Sequence, residues 1–148
     1  MNTQALAPTR EGTLVAATDV AADLPVFTLE SGIVGFPELT RYVLVRLDAH
    51  GLVYDLRSLD DEHVRFVVVP SVGFFPDYAP EVDDAIASSL GLGDDQDTLV
   101  LLVVTVGATI AQSTANLMAP IVLNATSRIG AQVVLDDPDL LLRAPLSA

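Results

Sequence analysis

Apolar residues in this chain come in short runs closed by turn residues, and that punctuation limits the fold more than any other feature. Seven segments carry it: 26–29, 41–47, 52–59, 64–69, 99–106, 121–123 and 132–135. They are rich in β-branched and aliphatic residues, which suit a pleated, half-buried backbone. In 52–59, Leu52, Tyr54 and Leu56 alternate with Val53, Asp55 and Arg57, the pattern of a strand with one wet face. Segment 64–69 is almost wholly apolar, as expected of a strand covered on both faces, and Pro70 closes it. Residues Asn124 to Gly130 separate the last two runs and read as a wide hairpin turn.

One helix fits the pattern. Pro80 precedes the stretch Glu81 to Leu90, acids fill its first turn and Gly91 follows, the usual punctuation of a helix. Val82, Ile86 and Leu90 stand four apart and form one apolar stripe. Long helices do not alternate with the strands, which argues against a parallel α/β sheet. The expected fold is all-β and mostly antiparallel: a single small β-barrel-like domain over residues 23–148, with one short helix. Residues 1–22 are rich in Ala and Thr without a useful period and read as a flexible leader, with a weak helix as the alternative. A chain starting near Ala22 is expected to melt within a few degrees of the full length.

Charge narrows the partners. There are 20 acids against 7 bases, a net charge of −13, and every base is an arginine. Such a field repels the phosphate backbone, which excludes direct nucleic-acid binding as the expected role. It favours a basic protein partner by steering, or it only keeps a strand-rich chain soluble. The longest apolar run, 99–106, falls far short of the ~18 residues of a membrane span, so no membrane association is expected. There is no cysteine, and residues 1–10 lack the basic start and apolar core of a signal peptide; by elimination the compartment is cytoplasmic.

Catalytic chemistry finds no residues. The two histidines, His50 and His63, sit in turn-like contexts without a third ligand or a paired serine. Asp60-Asp61-Glu62 and Asp94-Asp95-Gln96-Asp97 carry oxygen ligands, but no calcium-loop spacing with a closing glutamate follows them, and solvated turns are the simpler reading. Glycoside hydrolysis usually sets its carboxylates beside aromatic platforms, whereas aromatics here are 5% with no Trp. Lysine is absent, and no glycine-rich phosphate loop occurs. No enzyme activity, metal or cofactor is expected.

Polar and aromatic residues in apolar settings remain as candidates for binding. Asn116, two residues before Met118 and before Pro120, and Asn124, at the end of the next strand, either satisfy loop backbone groups or meet a partner. The cluster Phe74-Phe75-Pro76-Asp77-Tyr78 reads as core edge or as a protein-binding hot spot beside Glu81, Asp83 and Asp84. Those acids either stabilise the helix start or, joined by Asp60 and Asp61, form an acidic docking surface. The proposed protein-binding set is Asp60, Asp61, Phe75, Asp77, Tyr78, Glu81, Asp83, Asp84, Asn116 and Met118.

Six motifs then fall in collinear order between Val26 and Leu146: Gly32-Ile33-Val34-Gly35-Phe36, Ser58-Leu59-Asp60-Asp61, Phe66-Val67-Val68-Val69, Phe75-Pro76-Asp77-Tyr78, the stretch Thr114 to Asn124, and Gln132-Val133-Val134-Leu135. Arg143-Ala144-Pro145-Leu146 closes the series. Together they resemble the flagellar assembly factor FliW family. The resemblance implies a small antiparallel barrel and a non-enzymatic cytoplasmic regulator with two protein partners. One is flagellin, bound near its C-terminal end. The other is the CsrA-type RNA-binding translational repressor of flagellin synthesis, which the factor sequesters when flagellin releases it. The uncharged stretch Gly107 to Gln112 departs from the family pattern. The alternative is a small-ligand-binding β-barrel with its cavity inside the strands, or an oligomeric structural module.

Overall fold

The structure, a computed structural model, describes residues 25–92 and 98–146. The acidic run at 94–97 and the leader 1–22 lie outside them. In chain order the strands are β1 (Val26–Leu29), β2 (Arg41–Arg46), β3 (Tyr54–Ser58), β4 (Arg65–Pro70), β5 (Thr98–Thr105), β6 (Thr114–Ala115), β7 (Ile121–Asn124), β8 (Ile129–Gln132) and β9 (Ala144–Pro145). Two short helices, α1 (Ser71–Phe74) and α2 (Asp84–Ser89), lie between β4 and β5. A 3-10 turn, Ile110–Gln112, precedes β6.

Seven of these strands close into a barrel. β1 to β5 run as an antiparallel meander, β5 pairs with β7, β7 with β8, and β8 returns to β1. That last pairing is parallel, through Thr28↔Ile129 and Leu29↔Gly130. Closure removes the open edges that a strand-rich apolar chain would otherwise expose to other chains. The end of β5 also carries β6 and then β9, a small antiparallel annex.

Alternation along the strands fills the interior. Phe27, Leu29, Tyr42, Leu44, Leu56, Val68, Leu101, Ile121 and Leu123 form one buried cluster inside the barrel. A second cluster, Val69, Leu102, Ala115 and Leu146, lies under α1 with Phe74, Phe75 and Tyr78 against it. Val68 and Val69 are therefore both buried, as the all-apolar composition of this strand suggested: one faces the interior and its neighbour faces the annex. The third cluster joins Leu90, Val122, Val133 and Leu135, with Val82 and Ile86 packed on it. The stripe at 82, 86 and 90 thus does bury against the barrel wall.

Three local expectations are corrected. Among the described residues there are two short helices rather than one, because the segment after Pro70 makes a single turn, with Phe75 N–H donating to the Ser71 carbonyl. The other helix begins at Asp84 rather than just after Pro80. Asp83 is its N-cap, and its side chain accepts from the Ala85 N–H at 2.8 Å. An acceptor that satisfies an orphan N–H sets the start more strongly than a proline, which only tolerates one. At the other end Gly91 takes φ 70°, as the sequence suggested.

The last hairpin is tighter than its sequence suggested: β8 is Ile129–Gln132, not 132–135. Gly130 is a strand residue, not a turn residue. It lies opposite Leu123, and a Cβ there would meet Leu123 Cδ2 at 2.2 Å and the Val122 carbonyl oxygen at 2.8 Å. Glycine here serves close packing rather than a turn. The turn itself ends on Arg128, at φ 65°.

Gly32 shows the opposite case, a glycine required by the backbone. Its φ is 65°, and a Cβ would stand 2.3 Å from the Phe36 carbonyl oxygen and 2.8 Å from Pro37 Cα. Gly32→Ala is therefore expected to destabilise by roughly 2–4 kcal/mol, combining left-handed strain with a backbone clash. Urea denaturation measures it, and an unchanged midpoint would show that the loop 32–37 relaxes freely.

Candidate functional site

The sequence motifs converge through hydrogen bonds that no single motif reveals. Gln132 bridges two of them: its Oε1 accepts from the Val34 N–H at 2.8 Å and its Nε2 donates to the Ala119 carbonyl at 3.1 Å. Val133 N–H donates to the Pro120 carbonyl, and Leu135 N–H to that of Met118. The Tyr78 hydroxyl donates to the Leu117 carbonyl, and burial pushes its pKa up to about 12. The segment Phe75 to Ile86 is thereby fastened across Leu117, Val122 and Val133.

Eight of the ten proposed binding residues therefore gather on one side of the barrel: Phe75, Asp77, Tyr78, Glu81, Asp83, Asp84, Asn116 and Met118. Asp77, Glu81, Asp83 and Asp84 are exposed, and no arginine forms an ion pair with them among the described residues. Phe75 and Tyr78 are half-buried and pack into the second cluster, so they support the surface more than they project from it. The Asn116 side chain accepts from the Met118 N–H at 2.9 Å, a local turn that shapes the loop.

Asp60 and Asp61 do not join this group. They sit in the turn between β3 and β4, whereas the acidic segment follows α1 at the far end of β4. The six residues of β4 separate them by about 20 Å at roughly 3.3 Å per residue. Asp60 is also engaged: Oδ2 accepts from the Thr40 and Arg41 N–H groups, and Oδ1 from the Arg41 guanidinium at 3.0 Å. The Arg41 and Thr40 N–H groups, with the guanidinium, hold its carboxyl below the usual range. A depressed folded-state pKa contributes stability that is present above the unfolded value, near 3.9, and is lost as pH falls through the folded one. The melting-temperature gap between the parent and Asp60→Asn is thus expected at about pH 7 and should close below about pH 4. A gap independent of pH would mean the charge is not what matters.

Asn124 is a structural residue. It is 5% exposed; Nδ2 donates to the Leu90 carbonyl at 2.8 Å and the Gly91 carbonyl at 3.3 Å, while Oδ1 accepts from the Thr126 and Ser127 N–H groups. One side chain thus satisfies carbonyls left over at the end of α2 and donors in the β7–β8 turn. Asn124→Ala should cost roughly 1–3 kcal/mol, against about 1 or less for half-buried Asn116→Ala. Equal losses in denaturant titrations would contradict this ranking.

Sequence reasoning missed one charged cluster. Asp55 is fully buried, and its Oδ2 accepts from Arg57 Nε at 3.0 Å and Arg65 Nη1 at 2.9 Å. The spacing of Asp55 and Arg57 puts both on one strand face, but Arg65 joins them only through the register Arg57↔Arg65. His50 and His63 are exposed, and among the described residues no group of three or more His, Cys, Asp or Glu could hold a metal. No helix of the described chain is long and apolar enough to cross a membrane.

Comparison with known proteins agrees with this architecture. The family model for FliW protein matches residues 9–146, a span that starts inside the segment read as a leader. The flagellar assembly factor FliW of Caldanaerobacter subterraneus is 33% identical over 82% of this chain and 81% of its own length. Those of Bacillus subtilis and Symbiobacterium thermophilum are 33% and 34% identical, with 85% and 88% of their lengths covered. A crystal structure of the flagellar assembly factor FliW superposes with a TM-score of 0.77 at 30% identity, covering 84% of this chain and 86% of that one.

Proposed function

The chain belongs to the FliW family, and on that premise we propose that it is a non-enzymatic cytoplasmic regulator of flagellum assembly. It binds flagellin and, when flagellin is scarce, binds and antagonises a CsrA-type translational repressor. The observation that carries the repressor half of the proposal is the exposed acidic segment at Asp77, Glu81, Asp83 and Asp84, which has no cation paired to it among the described residues. A protein that holds RNA must present bases, and an unpaired acidic face is complementary to them. The small-ligand reading has less support. Its cavity would lie inside the strands, where Phe27, Tyr42, Leu56, Leu101 and Leu123 pack against one another.

Purification from the native cytoplasm should recover flagellin or the repressor with the protein. Titration then tests the surface. Asp77→Lys with Glu81→Lys reverses two exposed charges and leaves the cap at Asp83 in place. Repressor affinity and association rate should fall, most sharply at low salt, because screening weakens steering as ionic strength rises. Flagellin binding is the internal control if it rests on apolar contacts. Repressor binding unchanged at low salt, with the fold intact, would move the site away from this segment.

A further inference from the structure

The outward faces of β2, β3 and β4 carry three arginines against one aspartate, the reverse of the balance in the sequence as a whole. Tyr42, Leu44, Leu56, Phe66 and Val68 point into the barrel, so the alternate residues of these strands face out. Three of the seven bases are among them, in a chain of net charge −13. The side chains of Arg41, Arg57 and Arg65 are 58%, 47% and 61% exposed. Arg41 is matched by Asp60, but Arg57 and Arg65 share the single carboxylate of Asp55, and both bind the same oxygen. The two guanidinium groups thus exceed their shared carboxylate by one charge, with Asp61 and Glu62 in the adjoining turn rather than on this face, and both terminal nitrogens of Arg57 and one of Arg65 are free of protein partners among the described residues.

Asp55 holds the two forks in place. It is fully buried, and its Oδ1 has no hydrogen-bond partner among the described residues. The register places Val43 beside Arg57, and Val45 and Val67 on either side of Asp55, all three half-exposed. The result is a pair of oriented guanidinium groups set in an aliphatic border. Arginines of this kind bind carboxylates through two parallel hydrogen bonds and are common anchors of protein interfaces.

We propose that this arginine wall is a second docking surface, which takes an acidic segment of another protein bearing a carboxylate next to aliphatic side chains. Charge complementarity selects that occupant. A nucleic acid would bring many phosphates against a net charge of −13, whereas one or two carboxylates engage only the local excess. The inference does not depend on the proposed function, since the wall lies on other strands than the acidic segment and needs neither partner named for it.

A short fluorescein-labelled peptide with a single glutamate between valines is the probe, read by anisotropy at about 0.15 M salt, where the repulsion by the net charge is screened beyond roughly 8 Å, with its glutamine counterpart as the neutral control. The parent should bind the glutamate peptide and not the control. Arg65→Ala, which keeps the Arg57–Asp55 pair, should weaken binding about tenfold or more. The triple change Asp55→Val, Arg57→Thr, Arg65→Thr removes the cluster as a unit, so that no buried charge is stranded, and should abolish it. Arg143→Ala, off the wall, should leave it unchanged. Parent-like binding by both wall variants, an equal loss in Arg143→Ala, or no binding by the parent would each overturn the proposal. Displacement by inorganic phosphate as efficient as by unlabelled peptide would assign the forks to a phosphate group and overturn the acidic-protein reading.

Discussion

Replacing Arg57 and Arg65 together by alanine is expected to destabilise the protein by about 3–5 kcal/mol, the usual consequence of stranding a buried charge. Asp55 has no exposed surface, and among the described residues its ion-pair partners are these two arginines. Without them the carboxylate is left in the wall between Val45 and Val67. For a chain of this size such a loss lowers the melting temperature by roughly 10 °C. Each single change should cost much less, because one guanidinium still answers the carboxylate, and the double variant should exceed the sum of the singles. Adding Asp55→Val to the double variant should restore most of the stability, since an apolar side chain in that place has no charge to desolvate. A double variant that melts with the parent would mean that water reaches Asp55 and that the cluster is held loosely.

The second large effect is expected at the closing seam of the barrel. Leu123 lies inside the barrel opposite Gly130, and Gly130 also pairs with Leu29 across the parallel β1–β8 junction. Leu123→Ala removes a fully buried side chain and should cost about 2–5 kcal/mol. Gly130→Ala inserts a methyl group where Leu123 Cδ2 and the Val122 carbonyl already stand, and should cost about 1–3 kcal/mol. The two defects offset each other in part, because the shortened side chain at 123 vacates the space the new methyl needs. The double variant should therefore be less destabilised than the sum by about 1 kcal/mol. Strict additivity in urea titrations would show that the strain at Gly130 lies in the backbone contact alone.

The barrel wall was largely legible before the structure. Strand existence follows from local alternation, so β1 at Val26–Leu29, β2 at Arg41–Arg46 and β5 at Thr98–Thr105 fall within a residue of their expected bounds. The apolar run in β4 signalled cover on both faces, which holds at Val68 and Val69 but not at Val67, whose outward side is half-exposed. Errors came where one residue type serves two purposes. Gly130 looked like a turn and is a strand residue making room for Leu123, and Pro80 looked like a helix start while Asp83 three residues later holds the cap. The two-residue strands β6 and β9 lack any period of their own and exist only because β5 overshoots its barrel partners.

Composition, strand periodicity and motif order by themselves determined the all-β class, the family and the acidic character of the surface, because these depend on residue type and local spacing. Grouping was decided by the tertiary structure. Pairing register set Arg65 beside Arg57 over Asp55, and the Tyr78–Leu117 bond fastened the acidic segment over the loop of Asn116. Barrel geometry put Asp60 and Asp61 at the other end of β4, away from acids that the sequence had grouped with them. The physical reason is the same in each case: partners distant along the chain meet through closure and register, and neither is encoded in any local window of sequence.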